Sequence, residues 1–368
     1  MDENNISNLL NETQAGAFII QGGALNVDFS YNDDEKVLEI LSEAPIVISN
    51  KKPEKPTGTD IIMNRNQVFR VTLKDINLTD DTHKGGVHIK NGKAVITLLG
   101  INYIRGGIEL SNGDSAQMEI TDKSGGFSDI AGINGSYKEI VINGGNIRTV
   151  GGGYSAGIGG QLRGGAGTIT INGGTIEAIG AGWGYSNGIG CGQWGSGGTV
   201  KINGGHVRAY GGSTGGFNPP LPEVAGIGGD QVRIILQGGV IEGIGNNGGN
   251  GFNGYFRTTP EGNAVITGSI GDTLDRENWN GIINNEVMGK VVLREDTYVD
   301  VLTVREDAEL LIPGGLVLVN NGTLVNHGKI TVWDNPGIPS KSCIINNGVL
   351  KNLGVITGWN ENGNIQTQ

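Results

Sequence analysis

Glycine makes up 68 of the 368 residues of this chain, whereas proline contributes only 10 and charged residues only 17%. So much glycine disfavours helices, because each glycine inside a helix costs about 1 kcal/mol relative to alanine, and so little proline excludes collagen. The 36% of hydrophobic residues can still form a core, which excludes a disordered chain and leaves an all-β repeat protein as the expectation.

The formal net charge is −11. Because nucleic acids and anionic membranes attract clusters of Lys and Arg, we expect no nucleic acid partner. No apolar run reaches the roughly 18 residues of a membrane span, so we expect no membrane insertion.

The first residues are acidic and lack an apolar stretch, which predicts that this chain has no signal peptide. Cys191 and Cys343 are far apart in the chain, and we expect no disulfide between them.

At the start of the chain, residues 1–60 are expected to form an N-terminal β cap, because a polar beginning is followed by short runs of alternating apolar and polar residues. Two longer alternating runs follow at 71–78 and 95–103. Their similar length and pattern predict the first coils of a β solenoid.

Between residues 125 and 245, two markers recur in a fixed order. An Asn-Gly-Gly corner, once replaced by Gln-Gly-Gly, follows Ile142, Ile171, Ile202 and Leu236. A Gly-Ile marker precedes each corner, at Ile133, Ile158, Ile189 and Ile227. The residues around each corner alternate as in short strands, and Asn-Gly supplies positive φ at low cost. Each unit therefore predicts one coil of a parallel β-helix, with equivalent residues about 4.8 Å apart.

This stacking predicts two ladders along the solenoid. Charges of opposite sign alternate from coil to coil at the position five residues after the first residue of each corner, as cross-strand pairing favours. These residues are Arg148, Glu177, Arg208 and Glu242. The corner amides are expected to form a hydrogen-bonded ladder of their own: Asn143, Asn172, Asn203 and Gln237.

Four segments are predicted along the chain: the cap (1–60), Gly-rich coils (61–245), an irregular insertion (246–282) and leaner C-terminal coils (283–368). In the last segment the Asn-Asn-Gly motif at 320–322 recurs at 346–348, a step of 26 residues. The sequence therefore predicts a single right-handed parallel β-helix, and the hand follows from the general preference for right-handed parallel crossovers.

The repeats resemble a group of bacterial surface proteins, common in Firmicutes, that carry AGIGG and ITINGGTI segments. Residues 156–160, 168–179 and 225–229 carry the resemblance. The group is described as right-handed β-helices of pectate-lyase-like or carbohydrate-binding type. The resemblance therefore implies a polysaccharide or other glycan partner and a secreted or cell-surface location, with a virion-associated protein as the alternative. Assembly into a homotrimer, as in tail-type β-helices, stays open.

Catalytic motifs of the β-helix lyases and hydrolases are absent from the sequence. A glycosidase needs two carboxyl groups about 5–9.5 Å apart, and Glu223 and Asp230, which flank the turn 224–229, are the candidate pair. The alternative is that both only keep a loop soluble. No cofactor is expected, because the four His are scattered and no Cys pair has zinc spacing. A calcium ion on Asp80, Asp81 or Asp129 is left open.

Large side chains stand among the glycines of the loops that precede and follow each Gly-Ile marker. An aromatic ring can cover the apolar face of a sugar, and amides and Arg can bind its hydroxyl groups. The predicted glycan-binding residues are Tyr154, Gln161, Arg163, Trp183, Tyr185, Gln193, Trp194 and Phe217. The alternatives are that Tyr154 and Tyr185 merely stack on each other across neighbouring coils, or that these loops contact a partner protein.

Three functions are consistent with these observations. The first is an extracellular carbohydrate-binding or adhesive protein. The second is a polysaccharide-degrading enzyme, a hydrolase or lyase of a phage or gut bacterium, acting along the same edge. The third is a passive structural rod. The sequence does not decide whether the chain is an enzyme.

Overall fold

The computed structural model describes residues 12–79, 85–111, 116–122, 125–182, 184–212, 224–246, 249–258, 264–270, 280–293, 295–333, 343–358 and 365–367. All 36 regular elements in these residues are β-strands, and no helix in them has the length and apolarity of a membrane span.

The chain forms two compact units. The first contains Met1–Ile234, Glu242–Tyr255 and Ser269–Thr273, and the second contains Ile235–Ile241, Phe256–Gly268 and Leu274–Gln368. The four-segment division stays a prediction.

The first five strands pair mainly antiparallel. They are β1 (Glu12–Ala15), β2 (Phe18–Gln21), β3 (Phe29–Asn32), β4 (Val37–Ile40) and β5 (Ile46–Asn50). β2 lies between β1 and β5, and β3 pairs with β4, all antiparallel. β4 and β5 then pair in parallel with the strand Asp60–Lys74. The cap therefore covers the open edge of the first coil, which would otherwise be free to pair with another chain.

The strands between the cap and Thr258, which lie mostly in the first unit, wind into coils. They are β6 (Asp60–Lys74), β7 (Asn77–Leu78), β8 (Val87–Leu99), β9 (Ile101–Ile104), β10 (Ile108–Leu110), β11 (Gln117–Asp122), β12 (Phe127–Ile130), β13 (Ile133–Asn134), β14 (Glu139–Ile142), β15 (Asn146–Val150), β16 (Ile158–Gly159), β17 (Thr168–Ile171), β18 (Thr175–Ile179), β19 (Ile189–Gly190), β20 (Ser196–Ile202), β21 (His206–Tyr210), β22 (Ile227–Leu236), β23 (Val240–Ile244) and β24 (Phe252–Thr258).

Each of these coils has three faces made of parallel strands. Face 1 stacks one fully buried aliphatic residue per coil: Ile61, Val87, Ile108, Ile133, Ile158, Ile189 and Ile227. Face 2 stacks β8, β11, β14, β17 and β20 in register, and face 3 stacks β7, β9, β12, β15, β18 and β21. The predicted parallel β-helix with an N-terminal β cap is confirmed.

The predicted charge pairs and the predicted amide ladder up to Asn203 are present, but Asn203 Oδ1 has no hydrogen-bond partner among the described residues, so the prediction that Gln237 continues the amide ladder is wrong. Arg148 Nε donates to Glu177 Oε1 at 2.9 Å, and Arg208 Nε donates to Glu242 Oε2 at 2.6 Å. The amide ladder runs from Glu119 through the corner residues, with Asn143 Nδ2 donating to Glu119 Oε1 at 2.8 Å. Asn172 donates to Asn143 and Asn203 donates to Asn172, both at 2.7 Å. The register inferred from the sequence is therefore confirmed at these positions.

Two glycine positions show why the repeat needs so much of this residue. Gly174, at the Asn-Gly-Gly corner, has φ +94°, and a Cβ there would lie 2.5 Å from the carbonyl oxygen of Gly145 in the preceding coil. Gly190, directly after Ile189, has φ +140°, and a Cβ would overlap the carbonyl of Gly228. Both glycines combine positive φ with close stacking of backbones, which only glycine tolerates.

The second unit contains twelve further strands among its described residues. They are β25 (Val265–Thr267), β26 (Gly281–Ile283), β27 (Glu286–Met288), β28 (Lys290–Val292), β29 (Thr297–Val304), β30 (Glu309–Ile312), β31 (Val317–Asn326), β32 (Lys329–Val332), β33 (Cys343–Asn346), β34 (Val349–Asn352), β35 (Val355–Thr357) and β36 (Ile365–Thr367). β24 and β25 fall in the segment 246–282, which was expected to be irregular. Their presence is explained in part by Phe252, Ala264 and Ile266, which are buried.

The 26-residue repeat predicted for the second unit is confirmed. β31 pairs in parallel with β33 and β34, which places Leu318 beside Ile344 and Leu324 beside Leu350. Asn320 and Asn326 are fully buried and donate to Asn346 and Asn352 at 2.6 and 2.8 Å. Inward-facing amides thus continue from coil to coil in this unit beside the aliphatic core.

Both cysteines are buried free thiols, as expected. Burial raises the pKa of Cys191 to about 11, so its thiol stays protonated at neutral pH.

We expect Asn320→Ala to lower the free energy of unfolding by about 2–3 kcal/mol. Its Nδ2 donates to Asn346 Oδ1 and to the carbonyl of Val349, and its Oδ1 accepts from the N–H of Gly322. Leaving such buried groups unpaired costs about 1–3 kcal/mol. The neighbouring Asn321 is exposed and accepts from Asn347, so Asn321→Ala should cost less than about 1 kcal/mol. Urea unfolding of the two variants measures the difference, and equal losses would contradict the role given to the buried amide.

Candidate functional site

The structure describes most, though not all, of the predicted site residues. Trp183, Phe217 and Glu223 lie outside the described residues. Asp230 is an exposed residue of β22, but its separation from Glu223 is not defined, so the predicted catalytic pair stays a prediction. The remaining residues lie in the loops that precede and follow the short face 1 strands β16 and β19.

The loops of two successive coils are joined by backbone hydrogen bonds. Arg163 N–H donates to the carbonyl of Gln193 at 2.7 Å, and Gln193 N–H donates to the carbonyl of Tyr154 at 3.0 Å. These bonds bring Tyr154, Arg163, Gln193 and Trp194 together, and the binding role of these residues stays a prediction. The side chain of Tyr154 is 45% exposed and lies over Gly184, where a Cβ would approach the tyrosine ring to 2.7 Å.

Three bulky residues at the turn after face 1 adopt the left-handed backbone conformation. Tyr137, Arg163 and Trp194 have φ of 62°, 61° and 58°, and each lies four or five residues after the stacked isoleucine of its coil. We call these three residues the bulky column. For residues other than glycine, Asn and Asp this conformation is unusual and costs about 1–2 kcal/mol per residue. The following coil has Gln231 four residues after Ile227, also with positive φ, at 54°.

The side chains of the bulky column contact each other and face solvent. The guanidinium carbon of Arg163 lies 5.8 Å from the ring centre of Trp194, within the range of a cation–π interaction. Tyr137 Oη donates to the carbonyl of Arg163 at 3.4 Å. Tyr137 is 64% and Trp194 67% exposed. The result is a solvent-facing surface in which the Arg163 guanidinium lies over the Trp194 ring and Tyr137 is bonded to the backbone of Arg163.

Sequence analysis missed Tyr137. It lies four residues after Ile133, close to the offset of Arg163 from Ile158 and of Trp194 from Ile189. A comparison of offsets across coils would have found it. The loop around Tyr137 lacks the full Gly-Ile-Gly marker, which hid the equivalence.

Of two predicted binding residues, Gln161 is already hydrogen-bonded through its side chain, whereas Gln193 is buried and its Oε1 has no hydrogen-bond partner in the described part of the chain. Gln161 Nε2 donates to Glu109 Oε1 at 2.6 Å, and the Gln161 N–H donates to Ser136 Oγ at 3.0 Å. Gln193 is 4% exposed. The geometry therefore favours Gln161 and Gln193 as residues that position the loops, while the exposed Tyr154, Arg163 and Trp194 are free to meet a ligand. Tyr185 is half-buried, and its stacking on Tyr154 stays a prediction.

A chain of polar side chains anchors the Gln161 loop to the first coils. His88 lies between two carboxylates, with Nε2 at 3.3 Å from Asp60 and Nδ1 at 3.5 Å from Glu109. These hydrogen bonds raise the pKa of His88 to about 9, and the bond from His88 lowers the pKa of Glu109. Glu109 in turn accepts from Gln161. At neutral pH, a charged His88 thus holds the carboxylate that fixes the loop of the bulky column.

A separate hollow of about 780 Å³ lies along face 3 of the same unit. The residues that line it are Pro56, Asn77, Thr79, Tyr103, Ile104, Arg105, Asp129, Ile130, Ala131, Arg148 and Val150. Its volume is within the range of ligand pockets, about 300–1,000 Å³. It lies in the first coils, and its position was not predicted from the sequence, because it depends on which coils have short side chains side by side.

The described residues show no group of three or more His, Cys, Asp or Glu that could hold a metal ion. Asp80 and Asp81 lie outside the described residues. Asp129 lies on β12 and is 3.1 Å from Arg148 Nη1, so an ion pair occupies its carboxylate. A calcium ion stays a prediction.

A family model described as a beta helix repeat matches residues 169–193 and 196–230. The match falls on the coils with the Asn-Gly-Gly corners and supports a parallel β-helix family. No curated protein and no solved structure matches the chain. The narrower resemblance to pectate-lyase-like surface proteins of Firmicutes stays a prediction.

The position of His88 predicts a pH-dependent contribution to stability. Its pKa in the folded state, about 9, exceeds the ordinary value of 6.5. Its contribution is therefore fully present below about pH 6.5 and is lost as the pH rises through about 9. We expect the gap in unfolding free energy between the wild type and His88→Gln to shrink from pH 6 to pH 10. A gap that stays constant over this range would show that the charge of His88 contributes nothing.

We expect Trp194→Gly to change the free energy of unfolding by less than about 1 kcal/mol. Relief of the left-handed conformation, worth about 1–2 kcal/mol, offsets the flexibility of glycine and the lost cation–π contact. Ile189→Ala, in the buried column of the same coil, should cost about 2–5 kcal/mol. Urea unfolding compares the two. A large loss for Trp194→Gly would show that the tryptophan stabilises the fold.

Proposed function

We propose that this protein binds an extended glycan along the bulky column, as a secreted or cell-surface carbohydrate-binding or adhesive protein. The observation that carries this proposal is the left-handed conformation of Tyr137, Arg163 and Trp194, with large exposed side chains in three successive coils.

The strain in the bulky column argues for selection by a ligand. In this chain most described residues with positive φ are glycine or Asn, so glycine is the residue that this architecture otherwise uses. Keeping Tyr, Arg and Trp in the turns after face 1 of three successive coils raises the free energy of the folded state by about 1–2 kcal/mol per residue. Their exposure means that they fill no core. Strained residues with such exposed side chains are typical of functional sites.

The chemistry of the bulky column suits a sugar chain. The ring of Trp194 offers an apolar surface, and the donors of Arg163 point in a planar fork that can bind hydroxyl groups. Successive coils lie about 4.8 Å apart, so a ligand that contacts all three side chains extends over about 10 Å along the axis. An oligosaccharide satisfies this requirement better than a single sugar. The exposed ring of Tyr154, joined to the same loops, widens this surface.

Two further facts support a glycan over other partners. The match to a beta helix repeat suggests, in general terms, a protein that binds or degrades carbohydrate. The net charge of −11 disfavours nucleic acid, which requires basic patches. A degrading enzyme remains the alternative, and Asp230 with Glu223 would be its carboxyl pair.

The proposal is tested with a glycan array followed by titration of the polysaccharides that bind. We expect Trp194→Gly to weaken binding at least ten-fold, since a lost sugar–aromatic contact of about 1.4 kcal/mol corresponds to a factor of ten. Trp333→Gly is the matched control, because Trp333 is similarly exposed, at 65%, and belongs to the second unit. It should leave binding unchanged.

Three results would decide between the functions. If no glycan binds, or if Trp194→Gly binds as well as the wild type, the proposed site is wrong. Release of reducing ends or of unsaturated uronates from a bound polysaccharide would establish an enzyme in its place. Loss of that release in Asp230→Asn, with binding retained, would assign the carboxyl group a catalytic role.

A further inference from the structure

The hollow on face 3 arises from two neighbouring columns of outward side chains. Strand pairing places Asn77, Tyr103, Asp129 and Arg148 in one column. Two residues further along each strand, the same register places Arg105 between the short side chains of Thr79 and Ala131. Because Thr79 and Ala131 are small, they leave space on both sides of the Arg105 side chain along the solenoid axis. The hollow of about 780 Å³ opens in this space.

Most of the charges around the hollow are already paired. Arg148 donates from Nη1 to Asp129 at 3.1 Å and from Nε to Glu177 at 2.9 Å. Asn77 donates to the carbonyl of Pro53 at 2.9 Å and accepts from Thr79 Oγ1. Arg105 is exposed, and within the described residues its guanidinium has no carboxylate partner. In a chain with a net charge of −11, this hollow therefore presents a cation that has no carboxylate partner among the described residues.

Arg105 and Tyr103 face the same side of the chain. Ile104, between them, points inward and is 1% exposed, whereas Tyr103 is 41% exposed, as the alternation along a strand requires. A guanidinium binds a carboxylate or sulfate through two parallel hydrogen bonds, and an aromatic ring covers an apolar surface beside it. The hollow is also much larger than a single inorganic anion. Its ligand should therefore combine an anionic group with a ring that has an apolar face.

We propose that this hollow is a second binding site, which takes a sugar unit carrying an anionic group. Arg105 binds the anion, and Tyr103 covers the sugar ring. The site lies on face 3, whereas the bulky column follows face 1, so this inference does not rest on the glycan site proposed above. It adds a preference for acidic saccharides that the bulky column alone does not predict.

The test uses a tetrasaccharide of glucuronic acid and the same tetrasaccharide after chemical reduction of its carboxyl groups. Titration calorimetry of the full chain at low salt should show tighter binding of the acidic form, because exposed charge interactions are screened by salt. Arg105→Gln should weaken binding of the acidic form by about 10- to 100-fold, the factor that corresponds to a charged hydrogen bond, and leave binding of the reduced form unchanged. Tyr103→Ala should weaken binding of both forms.

Two variants serve as controls. Arg233→Gln removes the same charge from an exposed position on β22 and should leave binding of the acidic form unchanged. Trp194→Gly tests the bulky column separately: a loss that occurs in this variant and not in Arg105→Gln belongs to the bulky column, so failure of the two proposals can be told apart. A sulfated tetrasaccharide identifies the kind of anion, and a preference for either anion supports the site.

The proposal is overturned by any of four results. These are equal affinity for the acidic and reduced forms, wild-type affinity in Arg105→Gln, an equal loss in Arg233→Gln, or no binding of either the carboxylated or the sulfated tetrasaccharide. Because Arg105 is exposed, we expect its variant to fold as the wild type does, and the thermal midpoint of unfolding confirms this before titration.

Discussion

In-register stacking of parallel strands is the constraint on which the rest of this structure depends. Each residue lies about 4.8 Å from its equivalent in the next coil, so every side chain must form a favourable contact with the side chain at the same position of that coil. Aliphatic residues do so by packing, as in the buried column that includes Ile158 and Ile189. Amides do so by donating to each other, as in Asn143 and Asn172. Charges do so by alternating in sign, as in Arg148 and Glu177.

The same constraint explains where the glycines are and why a few positions lack them. Corners must turn with positive φ while their backbones lie against the next coil, and Gly174 satisfies both demands. The bulky column meets the first demand without glycine, at a cost in conformational energy. Because its turns face solvent, Tyr137 and Trp194 find room that Gly174 and Gly190 lack. At these solvent-facing turns the fold has space for large side chains, and the sequence places Tyr137 and Trp194 there.

Polar contacts link the first coils of face 1 to the loop of a later coil. His88 lies between Asp60 and Glu109, and Glu109 accepts from Gln161, which precedes Arg163 in the same loop. Beyond β13 the face 1 strands carry glycines in place of polar residues, as at Gly159 and Gly190. Between Glu109 and Gly159 the same column holds Asn134, which is buried and donates to the carbonyl of Ala156. The bond from Gln161 to Glu109 thus joins coils that are not adjacent.

The coil architecture, the register and most of the ladder contacts could be predicted from the sequence alone. Period-2 alternation and repeated corners are local signals, and stacking converts them directly into contacts such as Arg208 with Glu242. The sequence also identified Tyr154, Arg163 and Trp194 as large side chains among glycines. Which polar groups already have a hydrogen-bond partner depends on the folded chain, because Gln161 is bonded to Glu109 of a coil distant in sequence. Likewise, the hollow beside Arg105 depends on the small size of Thr79 and Ala131 in neighbouring coils. Such features arise from residues far apart in the chain, and no local pattern encodes them.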